Sequence, residues 1–211
     1  MAAPAEPSEE PDQPIGGDTP VQPEEPELPF EDVAEEDWFY EAVAYAYENG
    51  IMAGTSETTF APNGVLDRAQ AVQLLYNLEG QPAVTGDSGF SDVKKTDWWN
   101  NAVTWAAQNH VVAGVGQDKF APEDKVTREQ FAQMLYNYAQ FKGYELTSSG
   151  NLSGFPDKDQ ISGWALDAMA WANGHGLING HQDSGRIDPL GSATRGQAAS
   201  IMAKFDQNLV G

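Results

Sequence analysis

The sequence predicts an all-α domain: three helix-loop-helix repeats in a pseudo-threefold arrangement around a central helical bundle. Three observations carry that prediction. A block of anchor residues recurs three times in the same order. Each block holds two segments whose apolar residues fall at helical spacing. A unit of two short helices has no core of its own, so the three must bury their faces on one another.

Residues 1–29 come first and hold eight of the thirteen prolines and eight acidic residues, with no Lys or Arg. Such a stretch buries too little apolar surface to offset its ordering entropy, and it reads as an extended linker. Repeat one occupies 30–80, repeat two 90–140 and repeat three 155–207, together forming one domain. They open with "FEDV", "FSDV" and "FPDK". Their anchors align as Phe30, Phe90, Phe155; Asp32, Asp92, Asp157; Trp38, Trp98, Trp164; Gly54, Gly114, Gly180; Pro62, Pro122, Pro189; and Arg68, Arg128, Arg195. The first two repeats are related by an even shift of 60 residues, whereas the third gains residues before its Trp and after Gly180.

In the first helix of each repeat, the stripe Ala42, Val43, Tyr45, Ala46 is matched by Ala102, Val103, Trp105, Ala106 and by Ala168, Met169, Trp171, Ala172. Gly50 and Gly176 suit the left-handed residue that ends a helix, and His110 takes that slot in repeat two as a turn residue. The second helix opens on a capping box, Asp67 with Gln70, Thr127 with Gln130 and Thr194 with Gln197. Its apolar face is Phe131, Met134, Leu135 and Tyr138, with Val72, Leu75, Ile201, Met202 and Phe205 as counterparts.

The chain has 211 residues, 40% of them apolar, and carries 11 basic against 32 acidic side chains, a net charge of -21. That balance argues against nucleic acid, whose phosphates need clustered Lys and Arg, and against an anionic membrane surface. With no cysteine there is neither a disulfide nor a thiolate metal site. Three histidines without HExxH, nucleophile elbow or phosphate loop leave no catalytic residues to assign, no metal site and no cofactor. "DKDQISG" at 157–163 lacks the ligands of a calcium loop and is better read as a turn. No apolar run reaches the length of a membrane span, and the N-terminus lacks the pattern of a secretory signal. Met1 followed by an acidic tract is expected to be the start of a fragment of a longer exported protein.

Three of the four arginines occupy one repeated position, just inside the start of the second helix. An acid there would be favoured by about 0.3–1 kcal/mol, so something else must retain the cation. Two explanations stand side by side. The guanidinium either forks onto a carboxylate such as Asp32, Asp92 or Asp157 and ties repeats together, or joins the helix N-terminus in an anion site for a ligand carboxylate or phosphate. The three Trp at matched positions tip the balance slightly towards a ligand with an apolar ring face, such as a sugar, although Trp in helical repeats is more often core.

These anchors, with "TTFAPN", "DKFAPE", "VTREQ" and "ATRGQ", resemble the S-layer homology module over residues 30 to about 206. The resemblance implies a three-pronged α-helical domain that acts as a non-covalent anchor, secreted to the bacterial cell surface and monomeric as an isolated module. Its implied partner is secondary cell-wall polysaccharide of the pyruvylated N-acetylmannosamine type, bound in inter-repeat grooves. It implies that Arg68, Arg128 and Arg195 grip the ketal carboxylate, and that Asp32, Asp92 and Asp157 accept sugar hydrogen bonds. Gly54, Gly114 and Gly180 would let backbone approach closely, while Trp38, Trp98 or Trp164 packs on the ring from an adjoining unit. The family's motif Glu is Gln at 70, 130 and 197; Asp67 replaces Thr beside Arg68, where an internal ion pair would occupy the groove; and repeat three carries Lys158 and Gly196. Arg128 is therefore the foremost ligand candidate. The alternative is a protein-protein assembly module, calcium-assisted and without glycan binding. The acidic surface does not forbid an acidic polymer, because at a Debye length of about 8 Å contacts inside a groove outweigh distant charge.

Overall fold

Among the described residues six α-helices, two per repeat, form the frame: α1 Tyr40–Glu48, α2 Arg68–Leu78, α3 Asn100–Gln108, α4 Arg128–Lys142, α5 Leu166–Gly174 and α6 Arg195–Phe205. The structure is a computed structural model and describes residues 28–147 and 149–210. The expected linker at 1–29 lies almost wholly outside the described residues. No named strand occurs among the described residues, only isolated β-bridges.

Helices of nine residues, as α1, α3 and α5 are, would be marginal in water on their own. They persist by packing: α1 lies on α6, α3 on α2 and α5 on α4, so the first helix of each repeat rests on the second helix of another. All three second helices begin with the expected capping box, with both reciprocal bonds present. His110 has φ 57°, matching Gly50 at 66° and Gly176 at 68°, so it fills the left-handed slot. α4 runs on to Lys142, where Gly143 at φ 73° ends it. Its extra turn is held by Tyr138, which donates to Glu79 at 2.7 Å, and by Lys142, 2.9 Å from the same carboxylate.

One hydrophobic cluster runs through all three repeats. At its hub the residues two before each capping-box arginine, Leu66, Val126 and Ala193, are fully buried. Their backbones close a ring: Leu66 N–H donates to Ala193 at 3.0 Å, Ala193 to Val126 at 3.1 Å, and Val126 to Leu66 at 3.0 Å. Each repeat thus supplies one donor and one acceptor, and removing any repeat leaves one buried group of each kind unpaired.

Candidate functional site

The repeated arginines are buried, at 5% exposure for Arg68 and Arg128 and 9% for Arg195. None of them meets a carboxylate directly among the described residues; each forks onto backbone carbonyls of another repeat. Arg68 Nε donates to Phe120 O at 2.9 Å and Nη2 to Ala113 O at 3.1 Å. Arg128 does the same to Ile187 O at 2.9 Å and Asn179 O at 2.8 Å. Arg195 closes the circuit onto Phe60 O at 2.7 Å and Ala53 O at 2.6 Å. Repeat one therefore clasps repeat two, two clasps three, and three clasps one. Burial pushes each guanidinium pKa down, opposed by neighbouring carboxylates: Asp124 and Asp92 for Arg68, Asp188 and Asp157 for Arg128, Asp32 for Arg195.

The same interfaces take up the helix N-termini. Arg68 and Ala69 N–H donate to Asp124 and Pro122 carbonyls, Arg128 and Glu129 to Gly191 and Pro189, and Arg195 and Gly196 to Gly64 and Pro62. With the third N–H taken by the cap residue, these ends hold no free donors for an anion in the first three positions. Neither sequence explanation of the arginine partners describes this geometry. The carbonyls do what a carboxylate fork was expected to do. An internal Asp67–Arg68 pair is absent too, because Asp67 caps Gln70 N–H at 2.7 Å.

The repeat-opening aspartates hold the loops that the arginines grip. Asp32 accepts Phe60 and Ala61 N–H at 2.8 and 2.7 Å, Asp92 accepts Phe120 and Ala121 at 2.9 and 2.8 Å, and Asp157 accepts Ile187 and Asp188 at 3.0 and 2.8 Å. The second residue of each pair has positive φ, 58° at Ala61, 56° at Ala121 and 50° at Asp188. Paired N–H groups aimed at one carboxylate form an anion nest that offsets this backbone strain. One peptide unit thus links Asp to Arg, its N–H given to the acid and its C=O taken by the guanidinium of another repeat. Burial raises the carboxyl pKa of Asp92 and Asp157, but the nest bonds, with Lys119 and Arg186 respectively, bring both below the usual carboxylate value. Asp157 is buried, Asp92 half-buried and Asp32 exposed.

The predicted glycines face the opening phenylalanines. A Cβ on Gly54, Gly114 or Gly180 would meet the Phe30, Phe90 or Phe155 ring at 2.5, 2.8 or 2.7 Å. Their close approach is thus to an internal ring, although Gly180 also borders solvent. The tryptophans are the reverse of a core: Trp38 is 67% exposed, Trp98 58% and Trp164 56%.

Three of the predicted residues, one from each repeat, come together in an open cleft of about 910 Å³ between α1, α6 and the turn at Gly180. Trp38, Arg128 and Gly180 all line it. Ala42 and Tyr45 line this cleft, which is why they are only half-buried although the helical stripe placed them with the core. Lys204 and His181 also line it, and the sequence reading had given them no role. The signal for Lys204 was present, since the matching positions in the other repeats are Asn77 and Asn137.

The S-layer homology domain model matches residues 29–72, 89–132 and 154–199, one segment per repeat. The chain belongs to the S-layer homology domain family. It is similar to an endoglucanase of Bacillus sp. (strain KSM-635), 31% identical over 83% of this chain and 18% of that protein. It is also similar to the surface-layer 125 kDa protein of Lysinibacillus sphaericus, 29% identical over 80% of the chain and 14% of that protein. S-layer protein EA1 of Bacillus anthracis is 26% identical over 84% of the chain and 20% of that protein. The chain therefore spans a fifth or less of these relatives.

Proposed function

We propose that this S-layer homology domain is a non-catalytic module that anchors a longer exported protein to the bacterial cell wall by binding secondary cell-wall polysaccharide in its inter-repeat clefts. The observation that carries the reading is the α1–α6 cleft, where an exposed indole, a buried guanidinium and a Gly turn converge from three different repeats. Fewer than all of Arg128's donors are used by Ile187 and Asn179, and the guanidinium carries five N–H groups, so it can bind a ligand anion while holding its loop. Trp38 offers an aromatic face to the apolar face of a sugar ring. Relatives named as an endoglucanase and as surface-layer proteins share this segment, which fits attachment rather than one chemistry. A pyruvylated sugar, whose ketal carries a carboxylate, suits the guanidinium.

The test is retention of the domain on purified wall sacculi before and after their non-peptidoglycan polymer is stripped. Binding should be lost on stripping, and Trp38→Ala should weaken it on intact sacculi with the melting temperature unchanged. Equal retention on stripped sacculi would move the target to peptidoglycan, and calcium-dependent self-association without glycan binding would favour an assembly module.

A further inference from the structure

The second helices of the three repeats differ at two matched positions, which in α6 line the cleft. In α2, Gln73 donates to Asn77 at 2.7 Å, and Asn77 donates on to Ile51 O at 3.0 Å. α4 repeats the pattern, with Gln133 donating to Asn137 at 2.8 Å and Asn137 to Val111 O at 3.1 Å. These ladders tie helix to loop within one repeat and consume the polar groups at their positions. At the same places α6 carries Ser200 and Lys204, both lining the α1–α6 cleft. Ser200 is too short to continue a ladder. An ammonium has no acceptor to offer one. Lys204 is exposed, and its ammonium has no hydrogen-bond or ion-pair partner among the described residues.

Arg128 and Lys204 both line the cleft, the guanidinium held by the carbonyls of Ile187 and Asn179 and the lysine carried by the last turn of α6. The cleft thus offers two cations from different repeats, with Glu41 and Asp183 also on its lining. Those two carboxylates would repel a uniform polyanion but accept hydroxyl and amide donors. The combination fits a sugar chain with spaced acidic groups.

We propose that Lys204 makes the α1–α6 cleft selective for an acidic oligosaccharide that bears a second negative group beyond the one facing Arg128. This rests on the carbohydrate reading of the same cleft. The second group is a carboxylate or a phosphate, either of which an ammonium binds as a point charge. Because Lys204 is exposed, the contact is a partly solvated ion pair, of the order of a fivefold change in affinity.

The experiment measures binding of the acidic polysaccharide released from wall sacculi to the wild-type domain, Lys204→Asn, Lys204→Arg and Trp38→Ala. Two treated polymers are run beside it, one with carboxyl groups reduced to alcohols and one dephosphorylated. Lys204→Asn should bind the untreated polymer about fivefold more weakly, a factor that shrinks as salt rises, while Lys204→Arg stays near wild type. One treatment should erase the difference between wild type and Lys204→Asn, and which one does so identifies the second group. Wild-type affinity in Lys204→Asn with binding lost in Trp38→Ala would overturn this inference alone. A Lys204→Asn defect that survives both treatments would overturn it as well. If neither variant alters binding, or the wild type does not bind, the carbohydrate reading of the cleft fails together with it.

Discussion

Replacing Arg68 by Met keeps the length of the aliphatic stem and removes every donor, so it isolates the clasp between repeats one and two. Two acceptors lose a charge-assisted bond: Phe120 O, whose bond is buried, and Ala113 O, whose bond is partly exposed. A hydrogen bond to a charged group contributes about 1.5–3 kcal/mol, and less where water can replace the donor. Taking about 2 for Phe120 and about 1 for Ala113 gives a destabilisation of roughly 3 kcal/mol. The guanidinium also lies 4.6 Å from the Phe120 ring centroid, a contact that Met replaces only in part. For a domain of this size each kcal/mol lowers the melting temperature by about 2–4 °C, so a drop of about 6–12 °C is expected. Urea and thermal unfolding followed by Trp fluorescence measure it. The transition should stay single, because the ring at Leu66, Val126 and Ala193 makes the repeats mutually dependent. Arg68→Lys should recover only part of the loss, since one ammonium cannot match the fork. A change under about 0.5 kcal/mol in Arg68→Met would refute the clasp, for that is the range of featureless surface substitutions.

Acid should weaken the fold through the nests. Asp92 and Asp157 have folded-state pKa values below the usual 3.8, so their stabilisation is complete above that value and is lost as pH falls through the lower folded one. Urea midpoints should drop between about pH 5 and pH 3, and Asp92→Asn should flatten that dependence. Asp67 runs the other way: burial first, then the charge of Glu123, raise its pKa despite its capping bonds. A raised carboxyl favours folding below pH 3.8 and loses that contribution as pH climbs through its folded value. Asp67→Thr, the cap of repeat two, should therefore gain stability relative to wild type on going from acid to neutral pH, measured by the same titrations. Gly114→Ala would press a methyl against Lys119 O at 2.6 Å and the Phe90 ring at 2.8 Å. Overpacking of that kind costs about 1–3 kcal/mol and should appear as a lower melting temperature.

Much of the fold was legible because its rules are local. A capping box relates residues three apart, and the buried faces of α3, α4, α5 and α6 follow the helical period that marked them. His110 was recognisable as a turn residue because it stands where the other repeats have glycine. The exceptions Ala42 and Tyr45 belong to a helix face that borders a cleft, and periodicity does not distinguish a face against the core from one beside a groove.

The candidate site was legible only as a set of residue types. Arg128, Trp38 and Gly180 were named, but their partners were not. Arg68 ends on a carbonyl 52 residues away and Arg195 on one 135 residues away. A backbone carbonyl is the same atom at every position and leaves no mark in a sequence, so reasoning from side chains turned to carboxylates instead. The ligand role of the aspartates came from the family resemblance alone, and the N–H groups of the positive-φ turn that each accepts in its own repeat carry no sequence signal either.

By itself, the sequence determined the number of units, the position and caps of their helices, and which faces are apolar, since each depends on neighbours within a turn or two of the chain. Tertiary structure alone decided that each arginine clasps carbonyls of another repeat while Arg128 also lines a cleft, that residues of all three repeats meet in that cleft, and that the Lys204 side chain has no partner among the described residues where Asn77 and Asn137 are tied. Those are matters of which surfaces meet once the ring closes, and contacts between distant segments depend on packing geometry that no local pattern encodes.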